Sequence, residues 1–150
     1  MNKPRYEKFI LLIEGVQKSI KKLKYNEAPS LGIKSVHIFW LLHLKESQKG
    51  LTAAELASAS MVDRSLVSRE IEALIKGGYV SLEDEGRHYT LTDSGAALAD
   101  AIKAKMSEVQ SSVGDGISPE ELAIFYRVLE KLHGNFATLT EKKRRKSTDK

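Results

Sequence analysis

The sequence predicts a mainly α-helical fold, about six helices with one two-stranded β-hairpin set between the fourth and the fifth. Three observations predict it. Apolar residues recur every three or four positions along most of the chain, the spacing of one helix face. The period drops to two between Tyr79 and Thr92, as in a hairpin. At Thr52–Glu55 and again at Ser118–Glu121 a hydroxyl residue stands three before a glutamate, the pair with which a helix start satisfies two of its own free N–H groups.

Taken in order, Tyr6, Phe9, Ile13, Val16, Ile20 and Leu23 alternate spacings of three and four, which suits a helix lying along another helix. Pro4 fits its first turn, where no N–H is needed, and "YNEAPSLG" at 25–32 breaks the pattern. "IKSVHIFWLLHL", Ile33 to Leu44, is apolar on nearly every side and belongs in the middle of a core. "KESQKG" is a turn, after which Thr52 and Glu55 open the short helix "AAELASA". Beyond a break at "SMV", Asp63 is placed to cap a further helix, which Gly77 and Gly78 end. Val80 and Leu82 on one side of "DEG", Tyr89 and Leu91 on the other, alternate as paired strands do. Asp93 restarts a helix to about Val113, with a seam at Leu98, Ile102, Lys105 and Val109, and "GDG" stops it. Ser118, Pro119 and Glu121 start the last helix, where Leu122, Phe125, Leu129, Leu132, Phe136 and Leu139 repeat the spacing of the first.

A length of 150 residues suits a single domain. The absence of cysteine excludes disulfides, thiolate metal sites and thiol-based redox sensing. No apolar run approaches the roughly 18 residues of a membrane span, and "MNKPRYEKF" has no apolar signal core, so a cytoplasmic protein without membrane contact is expected. The net charge of +4 has a local origin. Residues 141–150 hold six Lys/Arg and two Asp/Glu, so the other 140 residues sum to zero. That segment is expected to be a disordered basic tail, with a phosphate-binding arm as the alternative.

The helix from Asp63 to Lys76 is polar along its first half and apolar along its second. An ordinary surface helix separates the two around its circumference only. Axial polarity fits a recognition helix whose rear, Ile71, Leu74 and Ile75, is anchored while its front enters the DNA major groove. A short helix, a tight turn, this helix and then a hairpin make a winged helix-turn-helix over residues 33–92. Arg64 and Arg69 can donate bidentately to guanine or to phosphate. Ser65 and Ser68 let the backbone come close and offer hydroxyls, and the helix N-terminus favours a phosphate. The plainer alternative, a solvated helix face, explains neither the short helix before it nor the hairpin after it.

These residues also resemble a known family. "LTAAELA" at Leu51–Ala57, "DRSLVSR" at Asp63–Arg69, "LIKGGYV" at Leu74–Val80 and "LTDSG" at Leu91–Gly95 are similar to the winged helix-turn-helix of MarR-type transcriptional regulators. The likeness in element order spans nearly the whole chain. It implies a homodimer built from the first and last helices, a pseudo-palindromic operator, and repression relieved by a small ligand. One departure is plain: the family's wing commonly carries an Asp-Arg-Arg tip whose arginine enters the minor groove, whereas "EDEGRHY" is short and acidic and offers only Arg87 and His88. From Leu51 to Thr92 there are four Lys/Arg against seven Asp/Glu, a net of −3, so such a unit must rely on where its charges point, with Lys18, Lys21, Lys22, Lys24 or the tail as a further source of positive charge.

Residues 4–24 and 93–140 are thus expected to form a helical dimerisation part. Tyr6, Phe9, Ile13, Val16 and Ile20 of the first helix would meet Leu122, Phe125, Leu129, Leu132 and Phe136 of the last, because a monomer would leave both stripes in water. In resembling proteins ligands sit between the dimer helices and the winged part. Phe9, Ile13, His37, Trp40, Leu41 and His43 are the candidates to line such a pocket here, with plain core or interface as the alternative for each. The four histidines form no i,i+4 pair, so no metal site is expected. No glycine-rich phosphate loop, H-E-x-x-H or nucleophile elbow occurs, so neither catalysis nor a cofactor is expected. The competing function is a winged-helix module that binds another protein, which the acidic wing favours and the Arg/Ser front opposes.

Overall fold

The computed structural model describes the backbone of residues 3–30 and 33–148, and side chains at residues 5–23 and 33–148. Its elements are α1 (Lys3–Ser30), α2 (Ser35–Glu46), α3 (Ala53–Ala59), α4 (Arg64–Lys76), β1 (Val80–Glu83), a 3-10 turn (Glu85–Arg87), β2 (His88–Leu91), α5 (Asp93–Val113) and α6 (Pro119–Thr148). The chain forms two compact units, Met1–Ser107 and Glu108–Lys150, so the first two-thirds of α5 belong with the winged part rather than with the last helix.

The core of the first unit gathers round α2, whose His37, Ile38, Trp40, Leu41 and Leu44 are buried. Leu56 and Ala57 of α3, Val67, Ile71 and Leu74 of α4, Val80 and Tyr89 of the hairpin, and Ala99 and Ile102 of α5 close on it. Each fully buried large apolar side chain there contributes about 1.5–3 kcal/mol over an exposed one. This is why α2 has no polar face: every side of it meets another element.

β1 and β2 pair antiparallel, with Val80 opposite Leu91 and Leu82 opposite Tyr89. Leu51 adds a third, one-residue rung: its N–H donates to the Tyr89 carbonyl at 3.0 Å and its carbonyl accepts from the Tyr89 N–H at 2.8 Å. The preceding Gly50 has φ +78°, and a Cβ there would lie 2.5 Å from the Tyr89 carbonyl oxygen. Behind the hairpin, Thr92 ties two helices. Its hydroxyl donates to the Gly78 carbonyl at 2.6 Å and accepts from the Gly95 N–H at 3.1 Å, capping α5 while holding the end of α4. Gly95 is buried against the carbonyl of Tyr79, where a Cβ would overlap the oxygen. The "LTDSG" segment is therefore a joint that needs a hydroxyl at position 92 and glycine at position 95.

The second unit holds α6. The Ser118 hydroxyl accepts from the Glu121 N–H at 3.1 Å and the Glu121 carboxylate accepts from the Ser118 N–H at 2.9 Å, completing the expected capping box. No described residue of α6 is buried.

Three expectations are corrected. The helix α1 continues through Tyr25 to Ser30, past the point where its apolar period stops. Periodicity reports a buried face, whereas backbone hydrogen bonding needs only the absence of a breaker before Pro29. The remainder of that expected break, Leu31 and Gly32, lies outside the described residues. The basic segment is not a disordered tail: α6 runs through it to Thr148, leaving only the last two residues outside the description. After Gly134 no glycine or proline interrupts the chain, Lys, Arg and Glu are good helix formers, and cations near a helix C-terminus are stabilised by its dipole. Asp63 does stand at the N-cap of α4, but its carboxylate makes no capping bond; its carbonyl accepts from Leu66 and Val67 instead.

Candidate nucleic-acid interface

The helix-turn-helix is built from α3 and α4. Thr52 opens α3 with its hydroxyl accepting from the Glu55 N–H at 3.2 Å, and the Glu55 carboxylate accepts from the Thr52 N–H at 2.8 Å. That backbone N–H holds the Glu55 carboxyl below its ordinary pKa. The turn that follows is made by Met61 in the left-handed region, φ 56°. The Met61 N–H donates to the Ser58 carbonyl at 3.2 Å and the Val62 N–H to the Ala57 carbonyl at 3.0 Å. Those two bonds are the Schellman closure, which normally has glycine where Met61 stands.

From this turn α4 emerges with its rear fixed. Val67, Ile71 and Leu74 are buried, while Arg64, Ser65, Ser68 and Arg69 are exposed. A second fastening comes from α2. His37 is buried with Nε2 3.7 Å from Oε2 of Glu70 on α4, longer than a hydrogen bond. The same oxygen accepts from Lys34 Nζ at 3.1 Å. Burial pushes the His37 pKa down, the Glu70 carboxylate opposing and the Lys34 ammonium adding to it. The Lys34 hydrogen bond and charge hold the Glu70 carboxyl below its ordinary value. The fastening is thus the Lys34–Glu70 pair at the start of α2, with buried His37 packed beside it and its Nε2 without a hydrogen-bond partner.

The four front residues divide into two pairs one helix turn apart. Arg64 and Ser68 line a cleft of about 500 Å³ together with Thr52, Ala53 and Ala54 of the α3 start and Gly86, Arg87 and Tyr89 of the hairpin. Ser65 and Arg69 line a shallower hollow of about 440 Å³ with Met61, Val62, Asp63 and Leu66. The Ser68 hydroxyl donates to the Arg64 carbonyl at 3.2 Å, which leaves its lone pairs as acceptors. At the wing tip Gly86 (φ 76°) and Arg87 (φ 50°) are both left-handed, and this turn places Arg87 on the cleft facing Arg64. His88 is half-buried beside Gly50 and Gly86 and does not line that cleft. Glu83, Asp84 and Glu85 are all exposed.

A separate cavity of about 290 Å³ lies in the first unit, lined by Lys21, Ser35, Val36, Phe39, Trp40, Ser60 and Val62. Two of its residues carry buried polar atoms without a hydrogen-bond partner, Trp40 Nε1 and Ser60 Oγ. Of the six residues expected to line a ligand pocket, Trp40 lies here. His37 and Leu41 are in the core instead, because α2 is buried on all sides, and Phe9, Ile13 and His43 do not line the cavity. Lys21 and Ser60 escaped sequence reading since nothing local to either marks a pocket.

The apolar stripe of α1 is open: Tyr6, Ile13, Val16 and Ile20 are exposed and Phe9 is half-buried. On α6, Leu122 and Phe125 are exposed and Leu129, Leu132 and Phe136 half-buried. Among the described residues no group of three or more His, Cys, Asp or Glu could hold a metal ion, and no helix is long and apolar enough to cross a membrane.

Residues 31–88 match the model of the MarR family. Among solved structures, the transcriptional regulator PA3341 is 25% identical with a TM-score of 0.73, covering 87% of this chain and 98% of its own. A MarR-family transcriptional regulator from Silicibacter pomeroyi is also 25% identical, with a TM-score of 0.68 and coverage of 83% and 86%. A Staphylococcus aureus MarR, solved in complex with salicylate and kanamycin, is 16% identical with a TM-score of 0.75 and coverage of 91% and 95%. No curated protein sequence matches the chain.

Proposed function

We infer, from a chain whose winged helix-turn-helix is that of the MarR family, that the protein is a homodimeric transcriptional repressor of the cytoplasm that reads a pseudo-palindromic operator. The observation that carries this reading is the division of α4. Its rear is locked by the buried Val67, Ile71 and Leu74, while Arg64, Ser65, Ser68 and Arg69 are exposed at its N-terminal end. A rigid helix with bidentate donors at its front is what base readout in a major groove requires. Arg87, which lines the same cleft, would meet phosphate or the minor groove, with His88 a lesser contributor. The exposed stripes of α1 and α6 supply the dimer surface. A twofold axis would set two copies of α4 about one DNA turn, roughly 34 Å, apart.

For an effector, the cavity between Lys21, Trp40 and Ser60 suits a small anionic aromatic molecule. Lys21 offers charge and Phe39 a ring face. No catalytic step is assigned to any residue.

The test is selection of random duplex DNA by the purified protein at moderate salt. A palindromic motif with half-sites one turn apart is expected. A second reading has its own support: the wing tip is acidic and Leu51–Thr92 sums to −3, which favours a protein partner. Retention of DNA without any motif would move that reading to the front.

A further inference from the structure

We propose that the basic end of α6, Lys142 to Lys146, is a second DNA contact that grips backbone phosphates without regard to sequence. It rests on the DNA-binding reading above and adds to it a site outside the winged helix-turn-helix. Five consecutive cations, Lys142, Lys143, Arg144, Arg145 and Lys146, are held in helical backbone and are all exposed. The hydroxyls of Ser147 and Thr148 both donate to the Arg144 carbonyl, at 2.8 and 2.9 Å, so the helix is bonded to its last turn. At 3.6 residues per turn Lys142, Arg145 and Lys146 fall on one face. None of the described ion pairs involves these five residues, and Glu141 is the single acid from Ala137 to Thr148.

Two features identify the partner. The recognition segment Leu51–Thr92 carries a net −3, so close approach to DNA is opposed by its own charge and needs cations from elsewhere in the chain. Beyond Leu139 the helix has no apolar or aromatic side chain, so it lacks the face that an interfacial helix lays into lipid. A dense polyanion with no apolar demand is duplex DNA. The lysines and arginines bind phosphate oxygens as point charges and forks, and release counterions.

The experiment compares full-length protein with K142A/R145A/K146A, in which alanine keeps the helix, as circular dichroism would verify. Affinity is measured for the selected operator and for an unrelated duplex over a range of salt. The expected result is equal weakening on both DNAs and a shallower salt dependence, the log–log slope falling by about 0.9 for each phosphate no longer neutralised, about 2 to 3 per protomer. An unchanged slope with motif selection intact overturns this proposal alone. Failure of the wild-type protein to select any motif overturns the DNA reading on which it rests. Binding to phosphatidylserine vesicles that the variant abolishes, with DNA slopes unchanged, would assign the helix end to a membrane surface and equally overturn it.

Discussion

The helices α2 and α6 both carry apolar residues at helical spacing, yet one is the centre of a core and the other has no fully buried residue. In α2, Trp40 and Leu41 have 0% of their surface exposed, while α6, more than twice as long, has no buried residue. The difference lies in the pattern as well as in the amount of apolar surface. Apolar side chains on every side of α2 demand neighbours from its own chain, whereas a single stripe with period 3.5 along α6 is a surface for another helix. The first unit thus encloses a core, while the exposed stripe of α6 is the surface that the proposed dimer would use.

The largest expected effect separates these two regions directly. Trp40→Ala removes the largest fully buried side chain and is expected to cost about 3–5 kcal/mol in chemical denaturation, at any protein concentration. Phe125→Ala, at a 52% exposed position, should lower apparent stability only as far as dimer dissociation contributes, with a concentration dependence visible by sedimentation. An equal, concentration-independent loss in both would erase the contrast.

Two glycines sharpen it further. Gly95→Ala forces a methyl onto the Tyr79 carbonyl and should destabilise by more than about 2 kcal/mol. Gly134 lies within α6 with nothing near its absent Cβ, so Gly134→Ala should stabilise by about 0.5–1 kcal/mol. Thermal denaturation of the pair measures both, and a destabilised G134A would mean that this face of α6 is tightly covered in the dimer.

At the turn between α3 and α4, Met61→Gly should relieve the left-handed backbone, stabilising the fold by about 0.5 kcal/mol after the greater unfolded-state entropy of glycine is set against it, and so raise the urea midpoint. A lower midpoint would show that the exposed Met61 side chain matters more than its φ.

The smallest expected effect is a pH dependence. The folded chain holds His37 below its ordinary 6.5, so the unfolded chain binds a proton first and stability falls as pH drops beneath that value. His37→Gln should flatten the change in urea midpoint between about pH 7.5 and about pH 5.5; an equally steep profile in that variant would place the titrating group elsewhere.

Much of this was legible in the residues. Thr52–Glu55 and Ser118–Glu121 announce their capping boxes because the interaction is local, three residues long and chemically distinctive. The hairpin and the all-round apolar α2 follow from period alone. What was hidden needed either an unusual residue or a distant one. A methionine in a left-handed turn carries no signal, since glycine is the expected occupant of that place. Persistence of α6 through the basic segment was obscured because a charge run reads equally well as coil. The Leu51–Tyr89 rung and the cavity joining Lys21 to Ser60 are long-range, and periodicity in either segment contains nothing of the other. The approach of His37 to Glu70 is hidden for the same reason, the two standing 33 positions apart on different helices.

In the proposed regulator the exposed front of α4 reads DNA while its rear only holds it. The most direct measurement is operator affinity of the wild type against R64A/R69A, two substitutions at exposed positions that leave Val67, Ile71 and Leu74 in place. A loss of a few kcal/mol, roughly a hundredfold or more in Kd, with unrelated duplex bound nearly as before, is the predicted result. A normal footprint and an unchanged Kd on the operator would contradict it, and would move recognition away from this helix.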